Sequence, residues 1–313
     1  MKIVLLEELG VSPQVIEKHA KKLNDMGHSF TAYPKDTDPQ VQIQRSHDAD
    51  VIMLANMPLD KSVVDAAADL KFIDVAFTGV DHVPVADAKA RGIAVSNASG
   101  YATQAVAELC ISFMIQLLRN VKATEDRCRT GGTKAGLVGN LLWGKTVGIV
   151  GAGAIGKKTA ALCKAFGCNV IAYSRSKVSD PAIDKQVSLD ELLQRADIVS
   201  LHCPLTDQTR GLIGSSQLDM MKETAFLINT ARGAVVDSAA LAQALKEGRI
   251  AGAACDVFEM EPPLPQDHPL LHSPNTIVTP HIAFASAESM EQRADIVFDN
   301  LYSWMDGKQI NAV

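Results

Sequence analysis

Apolar positions in this chain come in short runs separated by amphipathic stretches. Residues 2–6, 51–54 and 72–77 are predominantly apolar runs of strand length, whereas 13–26 and 62–68 repeat apolar residues at helical spacing. The opening therefore reads β-α-β-α-β. A helix at 85–90 feeds a short strand at 93–96, and one long amphipathic helix is predicted from 103 to about 125.

A second α/β pattern begins with a strand at 146–150, a helix at 154–166 and a strand at 169–173. Later strands are predicted at 198–202, 225–229, 251–257 and 276–278, separated by helices near 189–195, 216–221 and 238–247. Strands alternating with helices imply mostly parallel sheets joined by right-handed crossovers, hence an α/β fold with two parallel-sheet domains. The glycine-rich and charged segment 127–140 reads as a surface excursion. The last helix, 286–305, is expected to return to the first domain. That makes residues 1–100 and 286–313 one substrate-binding domain and 101–285 a dinucleotide-binding domain, separated by a cleft.

Composition narrows the function. With 30 basic and 36 acidic side chains the net charge is −6, so no global field collects nucleic acid or anionic lipid. A small soluble ligand is expected instead. The most apolar segment, 107–118, is interrupted by Glu108 and Gln116 and falls short of a membrane span, and the start carries no secretory cleavage pattern. Six cysteines include no close pair; Cys110, Cys163, Cys203 and Cys255 sit in apolar runs, as expected of buried thiols in a reducing cytoplasm.

The sharpest motif is TVGIVGAGAIG, where Gly151, Gly153 and Gly156 follow an apolar strand and open a helix. Gly151 permits the tight turn, Gly153 lets the backbone approach a pyrophosphate, and Gly156 lets helix and strand pack closely. The N–H groups at the helix start, at Ala154 and Ile155, then face the phosphates. An acid is expected about 20 residues beyond the first glycine to hold the adenosine ribose of NAD. Here the strand ends in SRSK instead. Ser174, Arg175, Ser176 and Lys177 offer hydroxyls and cations suited to a 2′-phosphate, which favours NADP(H) over NAD(H); a solvated basic turn is the other reading.

Three later segments follow predicted strands, where the ligand crevice of an open parallel sheet lies: NTARGAVVD with Thr230, Ala231 and Arg232, CDVFEMEPP with Asp256, Glu259 and Glu261, and TPHIA with His281. Arg232 has the paired donors to clamp a substrate carboxylate and polarise its carbonyl. A free imidazole titrates near neutral pH, which suits His281 to donate or recover a proton, and Glu261 would stabilise its charged form. Asp256 is expected to position the nicotinamide or the ring pair, and Glu259 to face solvent. His202, Cys203 and Pro204 end a strand and are expected to pack around the cofactor. The remaining histidines form no ordered cluster, and no metal site is expected.

In the order GAGAIG, SLHCPLTDQTRGLI, NTARGAVVD, CDVFEMEP and TPHIA, preceded by TGVDHV and GYATQAVAE, the chain resembles the D-2-hydroxyacid dehydrogenase family. The resemblance implies two Rossmann-like domains, the first flavodoxin-like, NAD(P)-dependent interconversion of a small 2-oxoacid and a D-2-hydroxyacid, and a homodimer. It assigns catalysis to Arg232, Glu261 and His281 and the substrate carboxylate to the backbone at Thr78 and Gly79. It also gives substrate side-chain choice to Ala55, Asn56 and Met57, and cofactor contacts to Thr103 and Asp256. GYAT around Tyr101 and Phe284 after TPHIA look most like the glyoxylate, hydroxypyruvate and glycerate branch. D-lactate or another D-2-hydroxyacid, or a catalytically silent NAD(P)-dependent corepressor-like protein, are the alternatives. Formate-dehydrogenase relatives carry glutamine beside the histidine where this chain has Glu261.

Overall fold

The computed structural model describes residues 1–313 and divides into two compact units, Met1–Ala102 with Ala285–Val313, and Thr103–Phe284. In chain order the first unit holds β1 (Lys2–Leu5), α1 (Pro13–Asp25), β2 (Ser29–Ala32), α2 (Pro39–Ser46), β3 (Val51–Leu54), α3 (Lys61–Ala66), β4 (Phe72–Val75), α4 (Val85–Ala90) and β5 (Ala94–Asn97). The second holds α5 (Thr103–Leu118), α6 (Val121–Arg129), β6 (Thr146–Val150), α7 (Ala154–Ala165), β7 (Asn169–Tyr173), β8 (Lys185–Gln186), α8 (Leu189–Arg195), β9 (Ile198–Leu201), α9 (Ser215–Met220), β10 (Phe226–Asn229), α10 (Ser238–Lys246), β11 (Gly252–Cys255) and β12 (Thr276–Val278). The last helix, α11 (Ala287–Met305), belongs to the first unit.

Both sheets are parallel throughout. The first runs β2-β1-β3-β4-β5, the flavodoxin-like order, and the second β12-β11-β10-β9-β6-β7-β8, a doubly wound Rossmann order. Helices cover parallel sheets on both faces, so central strands are buried end to end: every residue of β3, β9, β10 and β11 is buried. Truncating a leucine in such a strand costs about 2–5 kcal/mol. On α11, Ala294, Val297, Phe298 and Leu301 are fully buried against Ile3, Val51 and Phe72, which fixes the helix to the first sheet. No helix is long and apolar enough to cross a membrane.

Besides the two-residue edge strand β8, which no sequence pattern marks, three elements depart from the sequence expectation. Between α1 and β3 the chain forms β2, a largely exposed edge strand, and α2, whose fully buried residues are the polar Gln42 and Ser46. Neither carries an apolar stripe, so hydrophobic periodicity passes over them. The predicted long helix breaks after α5: Asn120 takes a left-handed conformation (φ 51°), and the Leu118 carbonyl accepts from the Asn140 N–H (2.9 Å would be ordinary; here 2.7 Å) rather than from a fourth helical neighbour. All six cysteines are unpaired; four are buried, Cys203 is half-buried and Cys128 exposed.

Candidate active site

The winding of the second sheet reverses between β6 and β9, the switch point where open α/β sheets receive ligands. Gly151 there adopts φ +97°, and a Cβ on it would meet the Cys203 nitrogen at 2.7 Å and the His202 carbonyl carbon at 2.8 Å. A Cβ on Gly156 would lie 2.1 Å from the Gly151 oxygen. Both glycines are therefore required by close backbone approach. Gly153, the N-cap of α7, differs: a Cβ there would meet nothing within 4 Å. Its open side belongs to a cavity of about 600 Å³ lined by Val150–Gly153, Tyr173–Ser176, His202–Pro204, Gln208, Thr209 and Leu212. That volume suits part of a dinucleotide, and the α7 N-terminus supplies N–H groups for its phosphates.

No carboxylate lines this cavity beyond β7; Ser174, Arg175 and Ser176 do, and Arg175 Nη1 donates to Gln208 Oε1 across 3.5 Å. The residues fit a dinucleotide, with a cation where an unphosphorylated ribose would call for an acid. His202 hydrogen-bonds through Nε2 to Ser200 Oγ (2.9 Å), and burial pushes its pKa down to about 4. Its residue retains some exposure on the cavity wall, yet the imidazole is desolvated enough to stay neutral. Burial likewise pushes the Cys203 thiol up, so neither side chain is primed for proton transfer or attack.

At the carboxyl ends of β10, β11 and β12 the three later motifs are built by backbone clamps. Asn229, buried at the end of β10, accepts from the Ala231 N–H (3.1 Å) and donates to the Arg232 carbonyl (3.0 Å), shaping the turn through Thr230. Gly233 completes it: a Cβ there would fall 1.7 Å from the Phe258 carbonyl carbon, so only glycine lets this turn and the loop after β11 pack together. The Arg232 guanidinium donates to the Ala231 carbonyl at 2.9 Å.

His281 Nδ1 lies 3.0 Å from both Glu261 oxygens. An ionised carboxylate only accepts, so Nδ1 carries the proton that faces Glu261. The His281 backbone has φ +58°, a conformation costing a non-glycine residue roughly 1–3 kcal/mol. Asp256 holds it there. The Asp256 carboxylate accepts from Thr279 Oγ1 (2.6 Å), Ile282 N (2.8 Å) and Ala283 N (2.8 Å), while its carbonyl accepts from His281 N (2.8 Å). Burial pushes this carboxyl up, against the donors and His281, which pull it down. Glu259 faces solvent as expected, with 41% exposure, and from there accepts from Ser238 Oγ (2.7 Å) and pairs with buried His268 (3.2 Å).

In the first unit, Ala55 and Met57 are buried, and of these three loop residues only Asn56 retains exposure. Buried Glu7 accepts from both the Ala55 N–H (2.6 Å) and the Met57 N–H (2.7 Å), and His82 Nε2 meets the Ala55 carbonyl at 2.8 Å. Thr78 and Gly79 are half-buried after β4, and Asn97 donates to the Thr78 carbonyl at 2.7 Å. Thr103 opens α5. Sequence reasoning missed Glu7, Gln186 and Asn229, each a side chain that holds a loop by its backbone; Asn229, directly before TARG at a strand end, had a readable position.

An open dinucleotide turn in the same unit as an oriented imidazole is the equipment of a nicotinamide-dependent oxidoreductase. The chain belongs to the D-isomer specific 2-hydroxyacid dehydrogenase family, whose NAD-binding domain matches residues 111–283. A glyoxylate reductase of Thermofilum pendens is 39% identical over 90% of this chain and 85% of its own. A glycerate dehydrogenase of Methylorubrum extorquens is 38% identical over 91% and 92% of the two chains. Among solved structures, an acyclic imino acid reductase in complex with NADPH and D-Arg matches with a TM-score of 0.92 at 29% identity, covering 100% of both chains. This protein is accordingly a 2-oxoacid reductase of that family, using a nicotinamide cofactor.

Proposed function

We propose that the preferred substrate is glyoxylate or hydroxypyruvate, reduced with NADPH in preference to NADH, and that His281, Glu261 and Arg232 carry the chemistry. The observation supporting it most is the Glu261 carboxylate on His281 Nδ1. When bound, the nicotinamide supplies the hydride that reaches the carbonyl carbon. His281 Nε2 delivers the proton to the carbonyl oxygen, and Glu261 stabilises the imidazolium beforehand. Arg232 is assigned the substrate carboxylate; in the first unit, Thr78 and Gly79 are assigned substrate contacts through their backbone N–H groups. Asn56 borders the substrate side chain. Gly151, Gly153, Ala154, Ile155 and Gly156 hold the pyrophosphate; Thr103, His202, Cys203, Pro204, Thr230, Ala231 and Asp256 flank the remainder of the cofactor. Arg175, with Ser174 and Ser176, takes the 2′-phosphate.

The protein is further read as a cytoplasmic homodimer. Six unpaired thiols suit a reducing compartment, and Val138, Leu141 and Trp143, 81%, 64% and 72% exposed, form an apolar segment that a second copy would cover.

Steady-state kinetics over glyoxylate, hydroxypyruvate, pyruvate and longer 2-oxoacids, each with NADPH and NADH, test the reading. His281→Asn is expected to lower kcat by about 10²–10⁴ while leaving cofactor Kd nearly unchanged. Near-normal turnover of that variant would remove His281 from proton transfer, and a higher kcat/KM for pyruvate than for glyoxylate would favour a D-lactate dehydrogenase.

A further inference from the structure

We propose that Gln186 is a positioning residue for the 2′-phosphate of NADPH, acting through the turn at 174–178. The proposal rests on the NADPH reading above. Residues 174–178 lie outside any helix or strand, so the ladder of β7 does not determine their shape. Gln186 does so from β8, a two-residue strand at the sheet edge whose register opposite β7 sets Gln186 against Ala172. Its Nε2 donates to the Ser174 carbonyl (3.0 Å) and the Ser176 carbonyl (2.9 Å), and its Oε1 accepts from the Val178 N–H (2.9 Å). One side chain thus engages every second residue of the turn.

Only a primary amide offers two donors and an acceptor on adjacent atoms. A glutamate would set carboxylate oxygens against two carbonyls, and a lysine could not accept from Val178. Because trans peptides are planar, drawing the Ser174 and Ser176 carbonyls toward Gln186 turns the N–H groups of Arg175 and Lys177 to the opposite side. Ser174, Arg175 and Ser176 line the cavity, whereas Gln186 does not, so it acts on the cofactor through the turn. Being neutral, it adds no repulsion to a dianionic phosphate nearby.

The test compares kcat and KM for NADPH and NADH with glyoxylate in wild type, Arg175→Ala, Gln186→Leu and Gln186→Glu, with melting temperatures measured in parallel. Inhibition by 2′,5′-ADP against 5′-AMP reads the phosphate site without turnover. Gln186→Leu is expected to raise KM for NADPH about tenfold, with less than about a threefold change for NADH and in kcat, because three charge-free hydrogen bonds and the loop geometry they hold are lost. Gln186→Glu is expected to do more, since it repels both the carbonyls and the phosphate. Gln186→Asn, too short to reach both carbonyls, carries the same expectation as Gln186→Leu, so the test does not depend on one variant folding. If Arg175→Ala lowers the NADPH preference and every Gln186 variant keeps the wild-type ratio, the proposal falls and the NADPH reading stands. An equal loss for both cofactors, or a loss confined to kcat, also overturns it. A ratio untouched in Arg175→Ala overturns the NADPH reading itself and the proposal with it.

Discussion

The two parallel sheets carry the same topological feature and use it differently. Each reverses winding once, between β1 and β3 in the first unit and between β6 and β9 in the second. Loops leave the carboxyl ends of those strands in opposite directions, and their backbone N–H groups need acceptors. In the first unit the chain provides one: Glu7, just past β1, takes the Ala55 and Met57 N–H groups that follow β3, and it is 3% exposed. In the second, β6 runs into three glycines, and the space a Gly153 side chain would fill is empty to 4 Å. A switch point therefore binds an anionic ligand only where the chain has not supplied its own anion.

The largest expected effect comes from converting the second case into the first. Gly153→Asp places a carboxylate at the N-cap of α7, in an extended conformation (φ −76°, ψ −167°) open to any residue. Aspartate is a favoured N-cap, so stability should stay within about 1 kcal/mol of wild type or rise. Cofactor Kd should rise by about 100-fold or more, because the new charge sits where a phosphate would, at the positive end of the helix. Fluorescence titration with NADPH checks this; an unchanged Kd would mean that the turn does not hold the pyrophosphate.

The reverse experiment, Glu7→Ala, strips the first unit of its built-in anion. Two buried N–H groups lose their acceptor, at about 1–3 kcal/mol each, so urea unfolding should report a loss of roughly 2–6 kcal/mol. NADPH binding to the second unit should not change. A loss below about 0.5 kcal/mol would show that water replaces the carboxylate, as in an open switch point.

The smallest effect has the opposite sign and separates a useful buried carboxylate from a costly one. Asp74 on β4 is fully buried; Oδ1 accepts from Asn300 (3.0 Å), Oδ2 has no partner, and burial pushes its pKa well above the usual carboxylate range. A raised folded-state pKa means that its contribution is fully present below the unfolded pKa, near 4, and is lost as pH rises through the folded value. Asp74→Asn should therefore gain about 1 kcal/mol over wild type at pH 8, with the difference vanishing below about pH 4. Melting curves across that range check it; a variant less stable at pH 8 would mean that the ionised form has partners after all.

Much of the second unit was legible along the chain. Its glycine spacing, the strand before it and the helix after it are contiguous along the chain, and TARG, VFEMEP and TPHIA each follow an apolar run marking a strand end. The first unit was less so. Neither β2, mostly exposed, nor α2, which buries polar residues, bears a hydrophobic period, and Gln42 is accommodated only because it donates to the distant carbonyls of Asp36 and Pro58.

By itself the sequence determined the strands and helices that carry an apolar period, and which turns demand glycine, because burial periodicity and backbone sterics act over neighbouring residues. Tertiary structure alone decided the partners: Glu261 for His281, 20 residues on; Asp256 for the loop that carries His281; Glu7 for backbone 48 and 50 residues away; Gln186 for the turn after β7. Those pairings depend on which strand ends converge at one edge of a sheet. Strand order, rather than separation along the chain, determines that convergence, and no local pattern records it.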